Sequence, residues 1–200
     1  SVTAEKDQTY ALYNLTQDQL RRTLMPVGEY EKPQIRDIAK KAGLPVAGKH
    51  DSQDICFVPD HDYAAFIENE TGKKYEPGNF VDEDGNIIGQ HKGLIHYTIG
   101  QRKGLGITAA TPLFVKELRP KTNEVVITTN ERLFSDTCYV SDVNYMAQES
   151  IEQGTRAVGK VRYSHRGAQC TLTPLENGMI KCVFDEPQRA MTPGQAAVFY

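Results

Sequence analysis

Apolar positions along the chain change period once, near Pro77. In the first ~70 residues they recur at helical spacing, and beyond them they alternate. Residues 16–25 (TQDQLRRTLM) put Leu20 and Leu24 on one face, and Thr16-x-x-Gln19 is a capping-box pattern at the start. In residues 33–43 (PQIRDIAKKAG), Pro33 suits a first helical turn and Gly43 a stop. Ile35, Ile38, Ala39 and Ala42 form the expected buried stripe of that helix. A third helix is expected over about residues 60–70, opening at an aspartate cap at Asp60. It carries Tyr63, Phe66 and Ile67 and ends near Gly72.

After Pro77 the sequence NFVDEDGNIIG predicts a hairpin turning at Asp84-Gly85. Its aspartates do not make a calcium loop. Gly85 arrives fourth from Asp82, whereas the EF-hand loop needs glycine sixth and a glutamate twelfth. From Leu113 the runs LFVKEL, EVVITT, CYVSDV, TRAVGKVRY, AQCTLT, MIKCVFD and AAVFY are separated by turn residues. Short strands at this spacing predict a β-barrel or sandwich of about 85 residues.

Composition narrows the class. Hydrophobic residues are 39% and charged residues 24% of 200, so a folded chain is expected. A net charge of −3 argues against a wholly basic nucleic-acid binder but leaves room for a local basic face. No apolar run approaches the ~18 residues of a membrane span. The opening SVTAEKDQTYALY has no signal-peptide pattern, so a cytoplasmic location is expected. In a reducing compartment Cys56, Cys138, Cys170 and Cys182 are not a disulfide framework, and without a CxxC pair a metal site has no support.

Three stretches can carry chemistry. The first, GLIHYTIGQRKGLG (residues 93–106), spaces its glycines wrongly for a dinucleotide loop, and the chain has no Walker-type GK[ST]. It reads either as a tight loop presenting His96, Gln101, Arg102 and Lys103 to phosphates, or as a solvated basic turn. The second, HDSQDICFV (residues 50–58), sets Cys56 among polar neighbours in a loop. A core thiol and a nucleophile both fit, and as a hydrolase nucleophile it would need His50 or His61 as partner. The third, KVRYSHR (residues 160–166), gathers Lys160, Arg162, His165 and Arg166 around Tyr163. Such alternation lines an RNA surface or guards a strand edge.

Five stretches together resemble the bacterial tRNA-specific 2-thiouridylases. They are KDQTYALY (6–13), PVGEYEKPQIRDIAKKAGLPVAGKHDSQDICFV (26–58), GLIHYTIGQRKGLG (93–106), VRYSHR (161–166) and FDEPQRAMTPGQAAVFY (184–200). The resemblance runs through the chain in the family's order. It implies a multidomain α+β protein in three parts. Residues 1–58 would be the helical tail of an ATP-pyrophosphatase-type domain, residues 59–112 a small central domain, and residues 113–200 a β-barrel resembling those of elongation factor Tu. The family's SGGVDS loop and its first catalytic cysteine do not occur here. ATP, with Mg2+, would therefore be bound by a missing N-terminal domain and not by this chain, and the chain would be inactive alone.

The resemblance also implies the chemistry, which is replacement of O2 of the wobble uridine of tRNA by sulfur. Cys56, in Ser52-Gln53-Asp54-Ile55-Cys56-Phe57, matches the persulfide-bearing cysteine; many relatives have Thr-Gly where this chain has Gln53-Asp54. Lys6, Asp7, Gln8, Arg162, Tyr163 and Gln195 match the family's tRNA contacts. The implied partners are tRNA and a sulfur-donor protein, either a cysteine desulfurase or a sulfur relay carrier, and no membrane. The alternative is an RNA-binding module without catalysis, with Cys56 as a core thiol.

Overall fold

A computed structural model of the chain describes residues 9–49, 58 and 62–200. Helix α1 spans Gln17–Arg22 behind the expected capping box. The Thr16 hydroxyl accepts from the Gln19 backbone N–H, and the Gln19 side-chain oxygen Oε1 accepts from the Thr16 N–H. The helix stops short of Met25. Thr23 is already extended, and Pro26 disfavours helical geometry at Met25. Helix α2 spans Lys32–Lys41. It ends in a Schellman motif, with Leu44 N–H donating to Ala39 O, Gly43 N–H to Lys40 O, and Gly43 at φ +69°. Helix α3 spans Tyr63–Thr71 and closes on left-handed Gly72. Its cap is Asp62, which accepts from Ala65 N–H at 2.9 Å, and not Asp60.

The expected buried stripe of α2 is not buried. Ile38 is 50% exposed, Ala42 is exposed, and Ile35 and Ala39 are only half-covered. Apolar side chains around it are also open, with Leu24 at 89% and Val46 at 61% exposure. The helical period is present, but the described residues leave much of that face open.

The strands are β1 (Gly78–Val81), β2 (Ile87–His91), β3 (Phe114–Arg119), β4 (Glu124–Thr128), β5 (Phe134–Val140), β6 (Thr155–Lys160), β7 (Ala168–Pro174), β8 (Ile180–Arg189) and β9 (Val198–Phe199). They form two open sheets, ordered β2-β1-β4-β3 and β5-β8-β7-β6-β9. The single seven-stranded barrel or sandwich expected beyond residue 113 is therefore corrected in two respects. Neither sheet closes, and β3 and β4 pair with the hairpin β1–β2 and not with the later strands. The reason lies in β4. Val125, Val126 and Ile127 are all buried, as in a strand covered on both faces, and such a strand needs neighbours on both edges. β3 supplies one antiparallel and β1 the other parallel.

Two compact units result. One comprises Ser1–Gln53, Tyr139–Cys182 and Ala196–Tyr200, and the other Asp54–Cys138 and Val183–Gln195. In the second unit Phe80, Tyr97, Leu105, Val115, Val125 and Ile127 form the core. Beside it lies a polar knot. His91, buried, accepts the Gly93 N–H at Nδ1, so Nε2 carries the proton and donates to Asn123 O. Asn123 in turn donates to the carbonyls of Glu76 and Pro77. Gly78 must be glycine, because a Cβ there would lie 2.1 Å from Asn123 O.

The predicted hairpin turn is present. The Asp82 carboxylate accepts from Asp84 N–H, Asn86 N–H and the Asn86 amide, which spends its lone pairs on the turn itself. No cluster of metal-binding side chains occurs among the described residues, and none of their helices is long and apolar enough to cross a membrane.

Glu83, next in the turn, clamps the sheet through Lys116, the Thr128 hydroxyl and Arg132. Those bonds, the Lys116 one foremost, lower its pKa from an ordinary 4.5 to about 2. A depressed carboxylate pKa stabilises the fold above pH 4.5, and that contribution is lost as pH falls from 4.5 towards 2. Partial exposure limits it to about 1 kcal/mol. Glu83→Gln is expected to lower stability by that amount at pH 7 and to flatten the pH 4.5-to-2 slope of the urea midpoint. An unchanged slope would contradict the clamp.

Candidate nucleic-acid interface

In the first unit a 3-10 turn, Thr9–Asn14, places Tyr10 in the interior at 8% exposure. Its hydroxyl donates to the carbonyl of Ala196 at 2.6 Å. Burial foremost, then Tyr13 and Tyr200, push the Tyr10 pKa up, so the phenol stays a donor at neutral pH. Around its ring stand Tyr163, edge-on at 6.0 Å, Tyr13 at 6.2 Å, and the Lys160 ammonium 5.7 Å from the ring centre. Asn144 ties the same turn down by donating to the carbonyls of Tyr13 and Leu15.

Tyr163 itself is 54% exposed. It does not lie on a strand as the alternating pattern predicts. β6 ends at Lys160, and residues 161–164 turn. The His165 ring nitrogen Nδ1 accepts from Val161 N–H, His165 N–H donates to Arg162 O, and Gly167 at φ +93° leads into β7. Half-buried Arg162 and exposed Tyr163 thus sit on a closed turn, with exposed Arg166 three residues on. An exposed ring flanked by cations is suited to base stacking and phosphate contact. Tyr10 and Tyr13 were missed in the sequence. Their signal is a pair of tyrosines three apart within KDQTYALY, one of the stretches that carries the family resemblance.

The glycine-rich stretch is partly packed and partly exposed. Tyr97 and Leu105 are buried in the core of the second unit, with Ile99 and Ile107 packed against it. Gln101 serves the loop itself. Its side-chain oxygen accepts from Thr98 N–H, its amide donates to Lys103 O, and its backbone pairs with Val115. Arg102 and Lys103 are exposed at the tip. Half-buried His96 has its pKa lowered by desolvation and by Lys92, against the pull of Asp62 and Glu68. Arg189 braces the loop, donating to Asn130 Oδ1 at 3.0 Å and to Gly100 O, with its guanidinium 5.1 Å from the Phe114 ring centre. A cavity of about 420 Å³ lies along residues 102–113, with Arg102 the sole charge in its lining.

Gln195 is exposed, in a turn closed by its N–H on Thr192 O. Cys170 and Cys182 are buried thiols and Cys138 is half-buried, as their strand positions predict. Cys56, Lys6, Asp7 and Gln8, with His50 and His61, lie outside the described residues.

Three family models match in order along the chain. The tRNA methyl transferase HUP domain matches residues 1–60, the tRNA methyl transferase PRC-barrel domain 64–129, and the Aminomethyltransferase beta-barrel domain 135–200. The tRNA-specific 2-thiouridylase MnmA of Lachnoclostridium phytofermentans is 60% identical over 200 residues, covering 100% of this chain and 56% of the relative. The proteins of that name from Clostridium beijerinckii (51%, covering 98% of this chain and 54% of the relative) and Acetivibrio thermocellus (50%, covering 100% and 56%) match likewise. The chain belongs to the tRNA-specific 2-thiouridylase family. It spans about half the length of the curated relatives it matches. The PRC-barrel match ends at residue 129 and so takes β3 and β4 together with β1 and β2, in agreement with their hydrogen bonding.

The division of labour within the glycine-rich loop is testable by thermal melts. Gln101→Ala should cost about 1–2 kcal/mol through the lost loop bonds, whereas Arg102→Ala should change stability by less than about 0.5 kcal/mol. Equal effects would show that Gln101 does not hold the loop.

Proposed function

We propose that this chain is the tRNA-gripping and sulfur-carrying portion of a tRNA 2-thiouridylase, acting in the cytoplasm. The observation that carries this reading is the match to proteins of that printed name over the whole chain, at 60% identity for one of them. It is supported by the exposed Tyr163 ring, with exposed Arg166 and half-buried Lys160 and Arg162 near it in the chain.

ATP does not fit this chain. The sequence holds no glycine-rich nucleotide loop, and the described glycine-rich stretch spends its apolar residues on the core and its glutamine on its own turn. Activation of the uridine O2 is assigned to the part of the longer enzyme outside these residues. The exposed apolar face of α2, within the stretch matched by the HUP-domain model, is where that part would pack. The residues from 135 onward, matched by a β-barrel model, are the part that would resemble the barrels of elongation factor Tu.

Cys56 is the sulfur carrier. A donor protein, a cysteine desulfurase or a relay carrier, leaves a persulfide on its Sγ. The terminal sulfur attacks the activated C2 of the wobble uridine, and the oxygen leaves with its activating group. A second cysteine, in the remainder of the enzyme, then attacks Cys56 Sγ. The S–S bond of the persulfide breaks, the terminal sulfur stays on C2, and a cysteine–cysteine disulfide forms. A two-electron thiol reductant resets the pair. The tRNA is held by Lys6, Asp7 and Gln8, by Arg162 and Tyr163, and by Gln195. Arg102, Lys103 and His96 are weaker contacts, and Gln101 acts by shaping their loop.

Cys56→Ser in the longer enzyme should abolish 2-thiouridine in cellular tRNA, read by mass spectrometry of digested nucleosides, and leave tRNA affinity within about twofold. Retained 2-thiouridine would overturn the role of Cys56 and favour a binding module.

A further inference from the structure

Tyr10 is buried, hydrogen-bonded and ringed by aromatic and cationic side chains, yet it is not one of the tRNA contacts proposed above. Its environment joins stretches that are far apart in the chain. Its hydroxyl reaches the carbonyl of Ala196, 186 residues away and the immediate successor of Gln195. Its ring supports the edge of Tyr163. Its own position is two residues beyond Gln8. The Lys160 ammonium over its face adds the end of β6. Tyr200 follows β9 and exchanges both backbone hydrogen bonds with Val158 on β6, so the segment bonded to Tyr10 is itself fixed to the strand that leads into Tyr163. A phenol suits this place better than a plain ring. The hydroxyl satisfies a carbonyl in a half-buried setting, while the ring supplies a rigid edge.

We propose that Tyr10 is the positioning residue of the RNA-facing surface, holding Tyr163 in its stacking orientation and locking the C-terminal segment beside it. The inference rests on the tRNA-binding reading above and adds a residue that touches no RNA. Tyr163 carries the effect, because an exposed tyrosine on a turn has rotamer freedom that the Tyr10 edge removes before RNA arrives.

The test is a double-mutant cycle in the longer enzyme, reading the Kd for unmodified tRNA at fixed salt, with melting temperature as the fold control. Tyr10→Leu should weaken binding at least 10-fold. Tyr10→Phe, which keeps the ring and loses one hydroxyl bond, should weaken it about 5-fold or less with the fold intact. In a Tyr163→Ala background, Tyr10→Leu should add less than about 2-fold, because the group it orients is gone. Equal factors in both backgrounds would overturn the proposal, as would an unchanged Kd for Tyr10→Leu. If Tyr10→Leu does not fold, Tyr10→Met, which also removes the ring edge from Tyr163, is read in the two backgrounds by the same criterion. A separate outcome bears on the reading beneath it. If Tyr163→Ala and Arg162→Ala leave the Kd unchanged, the surface itself is not where tRNA binds.

Discussion

One hydrogen bond organises the first unit. The Tyr10 hydroxyl donates to the Ala196 carbonyl and closes a loop of nearly the whole chain. The entropic cost of closing so long a loop rises only slowly with its length, but a lone exposed bond would not offset it. Here it does not stand alone. Tyr10 packs against Tyr13 and Tyr163 under the Lys160 cation, Asn144 holds the turn from below, and Tyr200 pairs with Val158. The bond is partly buried beside aromatic rings, a setting in which leaving the carbonyl unsatisfied would be costly. Sequence order separates the stretches at residues 9–14, 160–163 and 196–200, and side-chain chemistry brings them together.

The second unit shows the same economy with different residues. Its sheet is held by a strand apolar on both faces, β4, and by the His91–Asn123–Gly78 knot beside the core. The glycine-rich loop is anchored in that core by Tyr97, Ile99, Leu105 and Ile107, with Arg102 and Lys103 exposed at its tip. Arg189 reaches it from β8 and spends its guanidinium on Asn130, Gly100 and Phe114. In the sequence, four polar or basic residues of that loop fit either a contact surface or a solvated basic turn. Structurally they divide into one that folds the loop, one that is half-buried and two that are exposed.

Much of this was legible in the sequence. The capping box at Thr16, the glycine stop at Gly43, the Asp84-Gly85 turn and most of the alternating runs became the elements they predict, because each rests on local chemistry. Three features were not legible. The pairing of β1 with β4 is parallel and long-range, and no local signal specifies it. The α2 stripe has the period of a buried face, but period reports amphipathicity and cannot say whether the covering surface lies within these residues. The turn at residues 161–164 depends on His165 capping Val161 from four residues away, which reads in sequence as one more alternating strand position. Tyr10 went unnoticed for a related reason. Its importance comes from its partners at residues 163 and 196, and nothing adjacent to it marks it.

The central claim is that residues 160–166 form a surface that meets tRNA. The most direct measurement is photo-crosslinking of the longer enzyme to unmodified tRNA carrying photoreactive uridines, followed by peptide mapping. The account predicts adducts on the peptide holding Arg162 and Tyr163, lost on competition with unlabelled tRNA. Adducts confined to other peptides, with none at residues 160–166 under saturating tRNA, would contradict it.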